Sequence, residues 1–259
     1  MNRLGCFNRP WSRETLDDAL AGMSAAGFEL VGFMRQQGMA VLDGDSSAED
    51  VSRLRALCAS HGLAPSTNLG GPALDRPLPE AVADFRRAID NTKAAGCDLL
   101  LTCGTMDEAQ YDAYYEAMRQ SVDYAQQQGV MLTLKPHGGI SATSRELLKA
   151  LREISHPNFR IYYDPGNIHF YTGESAAEDV KLIAEHVVAM CIKDETGGVH
   201  GDVAIEPGTG DVDWDAVFGT LKDAGFDGPC IVECLGGASL AEIDESAKRT
   251  HEFLLRHLS

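Results

Sequence analysis

The sequence predicts an α/β protein built as a single (β/α)8 TIM barrel, and three observations support this prediction. Eight short apolar runs alternate with eight amphipathic segments along the 259 residues. Several of the amphipathic segments end in a glycine that is followed at once by an apolar run, and no Pro/Ser-rich linker divides the chain. Such alternation specifies parallel strands joined by helical crossovers, and eight units in ~250 residues favour a closed barrel over an open sheet. We therefore expect one domain over residues 1–259.

The elements follow one another in regular order. Each strand is predicted from a short apolar run, and each helix from apolar residues recurring every three or four positions. Strands are expected at 3–7, 28–34, 63–69, 97–103, 130–137, 159–164, 187–194 and 228–235. Helices are expected at 15–26, 48–61, 78–95, 108–128, 144–154, 176–187, 213–224 and 239–258. Glycine just past a helix end takes the left-handed conformation without a steric penalty, which predicts helix-to-strand joints at Gly27, Gly62, Gly96, Gly129 and Gly225.

Composition restricts the partners and the location. With 22 Lys+Arg against 39 Asp+Glu, the net charge of −17 would repel nucleic acid and anionic membranes, so we expect neither as a partner. The expected partner is a small molecule, and the sequence leaves open whether the chain forms a homo-oligomer. No secretory signal and no run of ~18 apolar residues is visible. Seven scattered cysteines without a C-x-x-C pair indicate reduced core thiols and a cytoplasmic protein.

Charged residues close the apolar runs of the last four predicted strands. These residues are Lys135, Asp164, Lys193 and Glu233. Alternation along the fifth strand places Lys135 and His137 on the face opposite Leu132 and Leu134. Since parallel strands of a barrel end at the same mouth, and isolated buried charge is costly, the four groups should neutralise one another or a ligand. This end of the barrel is the candidate active site.

Several motifs in the second half resemble the xylose-isomerase-like barrels, a superfamily of sugar isomerases and epimerases with dehydratase and endonuclease IV relatives. They are Asp164-Pro165-Gly166-Asn167, Ile192-Lys193-Asp194, the segment from Pro207 to Trp214, and Ile231-Val232-Glu233. The resemblance implies a carbohydrate substrate and a divalent metal held by Glu, Asp, His and Glu from strands five to eight. Asp164 and Glu233 match two of these ligands, whereas Lys135 and Cys191 stand where Glu and His are expected.

These departures leave two alternatives for the cation of the site. In the first, the Lys135 ammonium replaces the metal between Asp164 and Glu233, and there is no cofactor. In the second, one divalent metal (Mn, Mg, Zn or Co) is held by His137, Asp164 and Glu233, with Cys191 as a further ligand. A lysine cation beside a metal would oppose it, which favours the first alternative.

The resemblance implies an enzyme that isomerises or epimerises a keto or open-chain sugar by removing a proton next to the carbonyl. Glu233 is the expected base, with Lys135 or His137 as the acid. The same enolate chemistry permits elimination, so a keto-sugar lyase or dehydratase is an alternative, and an unprotonated Lys135 would permit a Schiff base. A barrel that binds sugar without turnover is a third possibility.

Further residues are candidates for binding the substrate. We expect Asn167, His169 and Lys193 to contact sugar hydroxyls and Trp11 to form an aromatic wall. Lys193 and Asp194 are alternatively interpreted as a supporting ion pair. The glycine-rich stretch 195–211 follows the seventh strand, and it is either a lid over the site or a plain surface loop.

Overall fold

The computed structural model describes residues 3–258 and confirms the closed barrel. Eight strands pair in chain order, each parallel to the next, and β1 closes the sheet by pairing with β8. The strands are β1 Leu4–Phe7, β2 Leu30–Phe33, β3 Ala64–Leu69, β4 Leu99–Thr102, β5 Met131–Leu134, β6 Phe159–Tyr163, β7 Val187–Ile192 and β8 Cys230–Val232. Every predicted strand is present, although most are shorter than expected. The charged residues therefore lie just beyond the strand ends, at the mouth.

The helices lie outside the barrel. They are α1 Leu16–Ala26, α2 Ala48–Ser60, α3 Leu78–Ala95, α4 Tyr111–Gln128, α5 Ser144–Ile154, α6 Pro165–Thr172, α7 Ala176–Asp179, α8 Trp214–Asp223 and α9 Leu240–Leu258. The predicted helix 176–187 is wrong in detail, because only α7 is α-helical and two short 3-10 turns follow it. All five predicted glycine joints have positive φ, as the left-handed conformation requires.

Helix α6 lies outside the predicted elements, although it starts at the motif Asp164-Pro165-Gly166-Asn167. Asp164 is its N-cap and accepts a hydrogen bond from the Asn167 amide at 2.9 Å. Pro165 stands at the first helical position, where its missing N–H costs nothing. The Pro-Gly pair therefore starts a helix here instead of a loop, and the helix begins at the mouth of the barrel.

Two packed layers position the site. The barrel interior is filled by a small cluster consisting of Phe7, Leu30, Leu101, Tyr162, Ala189, Cys191 and Ile231. The larger core lies between strands and helices and includes Leu132 and Leu134, which confirms the predicted outward face of β5. Gly32 lies where a Cβ atom would come within 2.4 Å of the Phe7 ring, so the absence of a side chain lets that ring fill the interior. The inward positions of the last strands thus lead directly to the charged mouth.

The cysteines and the helices have the properties that the sequence predicts for them. All seven cysteines are free, and six of them are buried. Between residues 3 and 258 no helix is both long enough and apolar enough to cross a membrane.

Candidate active site

The charged residues of the last four strands meet at the mouth, as predicted. The Lys135 ammonium lies between two carboxylates, 3.0 Å from Asp164 Oδ2 and in contact with Glu233 Oε2. The Lys193 ammonium lies 2.6 Å from Glu233 Oε1 and 3.4 Å from Asp164 Oδ2. All four side chains are at least 95% buried. The mouth therefore contains a buried cluster in which each lysine faces both carboxylates.

Glu233 is the most heavily compensated member of this cluster. Besides the two lysines, Arg9 from the loop after β1 donates to Glu233 Oε1 at 2.8 Å, and the Cys191 thiol donates to Oε2 at 2.8 Å. Burial alone would raise the pKa of Glu233, but Lys135, Lys193 and Arg9 together hold this pKa well below its usual value. Glu233 is therefore a carboxylate at neutral pH.

The two lysines keep their protons. Burial alone would lower the pKa of Lys135, but the acidic groups around it, including Glu233 and Asp164, raise this pKa well above its usual value. The same opposition raises the pKa of Lys193. Asp164 Oδ2 accepts no hydrogen bond within the described chain and is balanced only by these two ammonium groups. Three cations, Arg9 included, thus face two carboxylates, and the cluster carries one net positive charge.

Asn167 positions Lys193 through its side-chain amide. Its Oδ1 atom accepts a hydrogen bond from Lys193 Nζ at 3.0 Å, and its Nδ2 atom donates to the Pro136 carbonyl at 2.6 Å. Gly166 permits this arrangement, because a Cβ atom there would come within 2.6 Å of the Lys193 carbonyl oxygen. Asn167 is thus a support for the cluster, and its contact with sugar hydroxyls stays a prediction.

His137 lies at the mouth beside an aromatic group. Its Nε2 atom is 3.1 Å from the Tyr171 hydroxyl, and the two rings are tilted with centroids 5.0 Å apart. Burial, together with the positive charges of Lys135 and Lys193, lowers the pKa of His137 to about 4. The imidazole is therefore neutral at pH 7, where it can donate or accept a hydrogen bond but carries no charge.

Burial contradicts the predicted aromatic wall of Trp11, whereas the predicted substrate contact of His169 stays a prediction. Trp11 is completely buried, and its indole N–H donates to Asp244 Oδ1 at 2.9 Å, so it packs between α1 and α9 instead of forming an aromatic wall. His169 accepts a hydrogen bond from the Ala176 amide at 3.2 Å and lies 4.0 Å from Glu195. Both residues are used in holding loops, and neither joins the charged cluster.

Asp194 has a structural role that the sequence interpretation missed. The side chain is completely buried, and its carboxylate accepts hydrogen bonds of 2.8 to 3.1 Å from five N–H groups, those of Glu195, Gly208, Gly210, Val212 and the Trp214 indole. It forms no ion pair with Lys193, so the interpretation of these two residues as a pair is wrong. Asp194 instead anchors the loop 195–212 at both of its ends.

A cavity of about 340 Å³ opens beside the cluster. Its lining includes Arg9, Arg13 and Glu14 from the segment after β1, Val203 and Ala204 from the anchored loop, and the buried Glu233. The glycine-rich loop therefore forms part of the wall. Glu233 is only 4% exposed, whereas the Arg9 side chain is 41% exposed and faces the opening. The cavity offers room for a small ligand in contact with the carboxylate.

A possible metal-ligand group is present, but a cation already lies within it. Among residues 3–258, only Asp164, Cys191 and Glu233 bring three ligand atoms together, all within 4.8 Å of one another. His137 faces Tyr171 and is not part of this group. A divalent ion between the carboxylates would have to displace the Lys135 ammonium that contacts both of them. The residues therefore fit a metal poorly while Lys135 is protonated.

Sequence reasoning missed Arg9 and Tyr171. Nothing in the sequence pairs Arg9 with a residue more than two hundred positions away. It reaches Glu233 because β1 lies beside β8 where the barrel closes. Tyr171 was missed together with α6, the helix that carries it. A signal was available for Arg9 alone, because a polar loop directly after a barrel strand always faces the mouth.

The comparisons with known proteins identify the family. The family model for the xylose isomerase-like TIM barrel matches residues 18–257, so the chain belongs to this family and the predicted resemblance is confirmed. Curated relatives include the L-ribulose-5-phosphate 3-epimerase UlaE of Salmonella typhi, which is 27% identical over 214 residues covering 77% of this chain and 70% of the relative. The curated relatives are thus sugar epimerases, in agreement with the predicted class of enzyme.

Solved structures show the same fold across the whole chain. The D-psicose 3-epimerase from Clostridium cellulolyticum H10 with D-tagatose has a TM-score of 0.78 at 15% identity and covers 99% of both chains. A xylose isomerase-like TIM barrel protein from Mycobacterium smegmatis in complex with magnesium has a TM-score of 0.75 at 17% identity, covering 100% of this chain and 98% of that one. At these identities the likeness establishes the fold alone.

Proposed function

We propose that this member of the xylose isomerase-like family is a sugar isomerase or epimerase that removes a proton next to the carbonyl of a keto or open-chain sugar. The family and its curated epimerase relatives support this class of reaction. The observation that carries the proposal is the buried Glu233 carboxylate, which lies beside two ammonium groups at the base of an open cavity. A base next to cations is what enolate formation needs.

Glu233 is the proposed base. Its carboxylate takes the proton from the carbon next to the carbonyl, the electron pair of that C–H bond moves into the carbonyl group, and the oxygen becomes negative. The ammonium groups of Lys135 and Lys193 are placed to stabilise this oxygen. In the resting site the same cations hold the pKa of Glu233 low. When these cations turn toward the substrate oxygen, the Glu233 carboxylate loses their stabilisation and becomes a stronger base.

Lys135 and His137 are the proposed acids. A proton returned to the same carbon from the opposite face gives an epimer, whereas a proton returned to the neighbouring carbon moves the carbonyl. Lys135 holds a proton within the cluster, and the neutral His137 imidazole can donate an N–H to the substrate oxygen. A neutral imidazole in this role has a precedent in general enzyme chemistry. We assign Lys193 to binding the substrate oxygen.

We propose that the Lys135 ammonium supplies the positive charge of this site and that no divalent metal is required. Lys135 contacts both carboxylates that a metal would use, and Lys135 and Lys193 already balance their charge. A metal in the group Asp164, Cys191 and Glu233 is the competing proposal. We also propose a small-molecule carbohydrate partner and a cytoplasmic location, since reducing compartments keep cysteines as free thiols.

The alternatives make different products. Elimination would release water from the sugar, and the curated epimerase relatives do not favour it. A Schiff base needs an unprotonated amine, whereas the pKa of Lys135 is raised. Borohydride would trap such an imine as a permanent adduct, and we expect none. A binding protein without turnover would retain sugar and leave its C–H bonds intact.

Hydrogen exchange in D₂O tests the proposed chemistry on many sugars at once. A panel of ketoses is incubated with the enzyme, and NMR records deuterium at the carbons next to the carbonyl. We expect one ketose to gain deuterium and form an epimer or isomer, and Glu233→Gln to prevent both. A sugar that binds but never exchanges its C–H hydrogens would contradict the proposal. A product that has lost one molecule of water from the sugar would establish elimination instead.

A further inference from the structure

Arg9 is the cation of the mouth that reaches solvent. The buried part of the cluster is balanced in charge, with the ammonium groups of Lys135 and Lys193 against the carboxylates of Asp164 and Glu233. Arg9 adds a third cation, and 41% of its side chain is exposed. It contacts Glu233 through Nη1, so its other N–H groups can donate to a second anion. The resting site can therefore bind a permanent anion of the substrate at Arg9.

The cavity presents arginines where that anion would enter. Arg9 bridges the cluster and the opening, because it donates to Glu233 while 41% of its side chain stays exposed. Arg13 lies on the same wall and forms no ion pair or side-chain hydrogen bond anywhere in residues 3–258. Glu14 also lines this wall, but among residues 3–258 it forms no ion pair with either arginine. A guanidinium can hold a carboxylate or a phosphate through two parallel hydrogen bonds.

The other anion-binding feature of the cavity is already used. Helix α9 begins at this wall, and an exposed helix N-terminus attracts anions. Here the amides of Ala238 and Ser239 both donate to the Glu242 carboxylate, at 2.8 and 3.0 Å. An incoming anion would have to displace this carboxylate, which leaves the two arginines as the available donors.

We infer that the substrate carries an acidic group, either a carboxylate or a phosphate ester, which Arg9 and Arg13 bind while the carbonyl lies against the two lysines. This inference rests on the proposed function, because it concerns the substrate of the same site. The acidic group would lie at the open end of the cavity and the reacting carbons at its base. Arg9 would then contact both the base Glu233 and the substrate.

Unreactive analogues test the inference by binding alone. Ribitol, ribonate and ribitol 5-phosphate share a five-carbon chain and lack a ketone or aldehyde group, so the proposed reaction cannot turn them over. Calorimetry gives their dissociation constants. We expect one of the two anions to bind about tenfold tighter than ribitol or better, since a charge-assisted pair adds at least this much. If ribonate has the lowest dissociation constant, the acidic group is a carboxylate. If ribitol 5-phosphate has the lowest, it is a phosphate ester.

Arg13→Ala is the decisive variant, because Arg13 is exposed and forms no side-chain hydrogen bond or ion pair within residues 3–258. We expect it to weaken binding of the preferred anion about tenfold and to leave ribitol binding unchanged. Arg152→Ala is the matched control, since Arg152 is exposed in the last turn of α5, at the opposite end of the barrel. Added salt should weaken binding of the anion but not binding of ribitol.

Two results would overturn the inference. One is that both anions bind no tighter than ribitol. The other is that Arg13→Ala weakens ribitol and the anion equally. Failure of this inference is distinguishable from failure of the proposed function. If a neutral ketose exchanges deuterium while the anions bind no tighter than ribitol, only the inference is contradicted. Tight anion binding with no exchange in any sugar, acidic ones included, would instead remove the proposed reaction.

Discussion

Two buried carboxylates at the mouth of this barrel, Asp194 and Glu233, are held in opposite ways. Asp194 accepts hydrogen bonds from five N–H groups, four from the main chain and one from an indole. Glu233 is surrounded by Arg9, Lys135 and Lys193 together with one thiol. The first set of donors is neutral and fixed by the backbone, whereas the second is charged and carried on long side chains.

The comparison shows how one barrel mouth separates structure from chemistry. Main-chain N–H groups cannot turn away from Asp194, so this carboxylate serves as a permanent anchor for the loop 195–212. Lysine and arginine side chains can turn from Glu233 toward a substrate oxygen, which makes that carboxylate available as a base. Burial and a negative charge are common to both residues. The kind of donor around them is what distinguishes an anchor from a reactive group.

The largest expected effect is on the reactive carboxylate. Glu233→Gln removes the proposed base while keeping the shape of the side chain, so kcat should fall about 10³-fold. The measurement is turnover or deuterium exchange with the best ketose. Circular dichroism checks the fold, because unpairing buried cations can destabilise by about 3–5 kcal/mol. Asp179→Asn is the matched control, since Asp179 is a buried carboxylate bound by Ser144 and Tyr163. Activity of the Gln variant near the wild-type value would contradict the assignment.

The next effect concerns the cation beside that base. Lys135→Met keeps the aliphatic chain and removes the ammonium group, so the enolate oxygen loses a charged donor and kcat should fall about 10²-fold. Steady-state kinetics measure this change. Lys149→Met, at an exposed position on α5, should leave kcat unchanged. A Lys135 variant within twofold of wild type would show that the reaction does not use this ammonium group.

A smaller effect on turnover and a clear effect on stability are expected at the anchor. Asp194→Ala leaves five N–H groups without their acceptor, so the free energy of unfolding should fall by about 3 kcal/mol. Hydrogen exchange should speed up in 195–212, and kcat/KM should fall less than in Glu233→Gln. Urea denaturation and hydrogen-exchange mass spectrometry give these quantities. Asp223→Ala, at an exposed position at the end of α8, is the control. An Asp194→Ala variant with wild-type stability and activity would contradict the structural role assigned to this carboxylate.

The smallest effect is a pH dependence that arises at His137. Burial lowers its pKa to about 4, whereas the unfolded chain should titrate near ~6.5. As the pH falls from 6.5 to 4, the unfolded state binds a proton that the folded state does not, so stability is lost at no more than about 1.4 kcal/mol per pH unit. His137→Gln lacks this contribution, and its stability should decline less across the window. Equal slopes for the two proteins would show that His137 titrates normally when folded.

The sequence predicted the barrel and the charged cluster because both follow from local patterns. Charges that end apolar runs mark Lys135, Asp164, Lys193 and Glu233, and parallel strands bring such ends together without further information. The glycine joints were equally local. Arg9 could not be paired with Glu233 from sequence, since their contact depends on barrel closure across almost the entire chain.

Local signals also misled where tertiary structure overrides them. Trp11 follows a strand, as a wall residue would, yet the closing helix α9 provides Asp244 as a hydrogen-bond partner. The Pro165-Gly166 pair has the composition of a loop, yet the side chain of Asp164 caps a helix there. The first error arises from a hydrogen-bond partner far along the chain, which the sequence cannot place. The second was avoidable, because Asp followed by Pro is a local signal for the start of a helix.

Metal analysis tests the central claim that Lys135 supplies the cation of this site. Elemental analysis of the purified enzyme is combined with activity before and after chelation. The variant Lys135→Glu/Cys191→His serves as a positive control, because it restores the four-ligand set Glu, Asp, His and Glu. We predict no stoichiometric divalent metal in the wild type, unchanged activity after chelation, and metal binding in the double variant. One equivalent of metal in the wild type, with activity lost on chelation, would contradict the account.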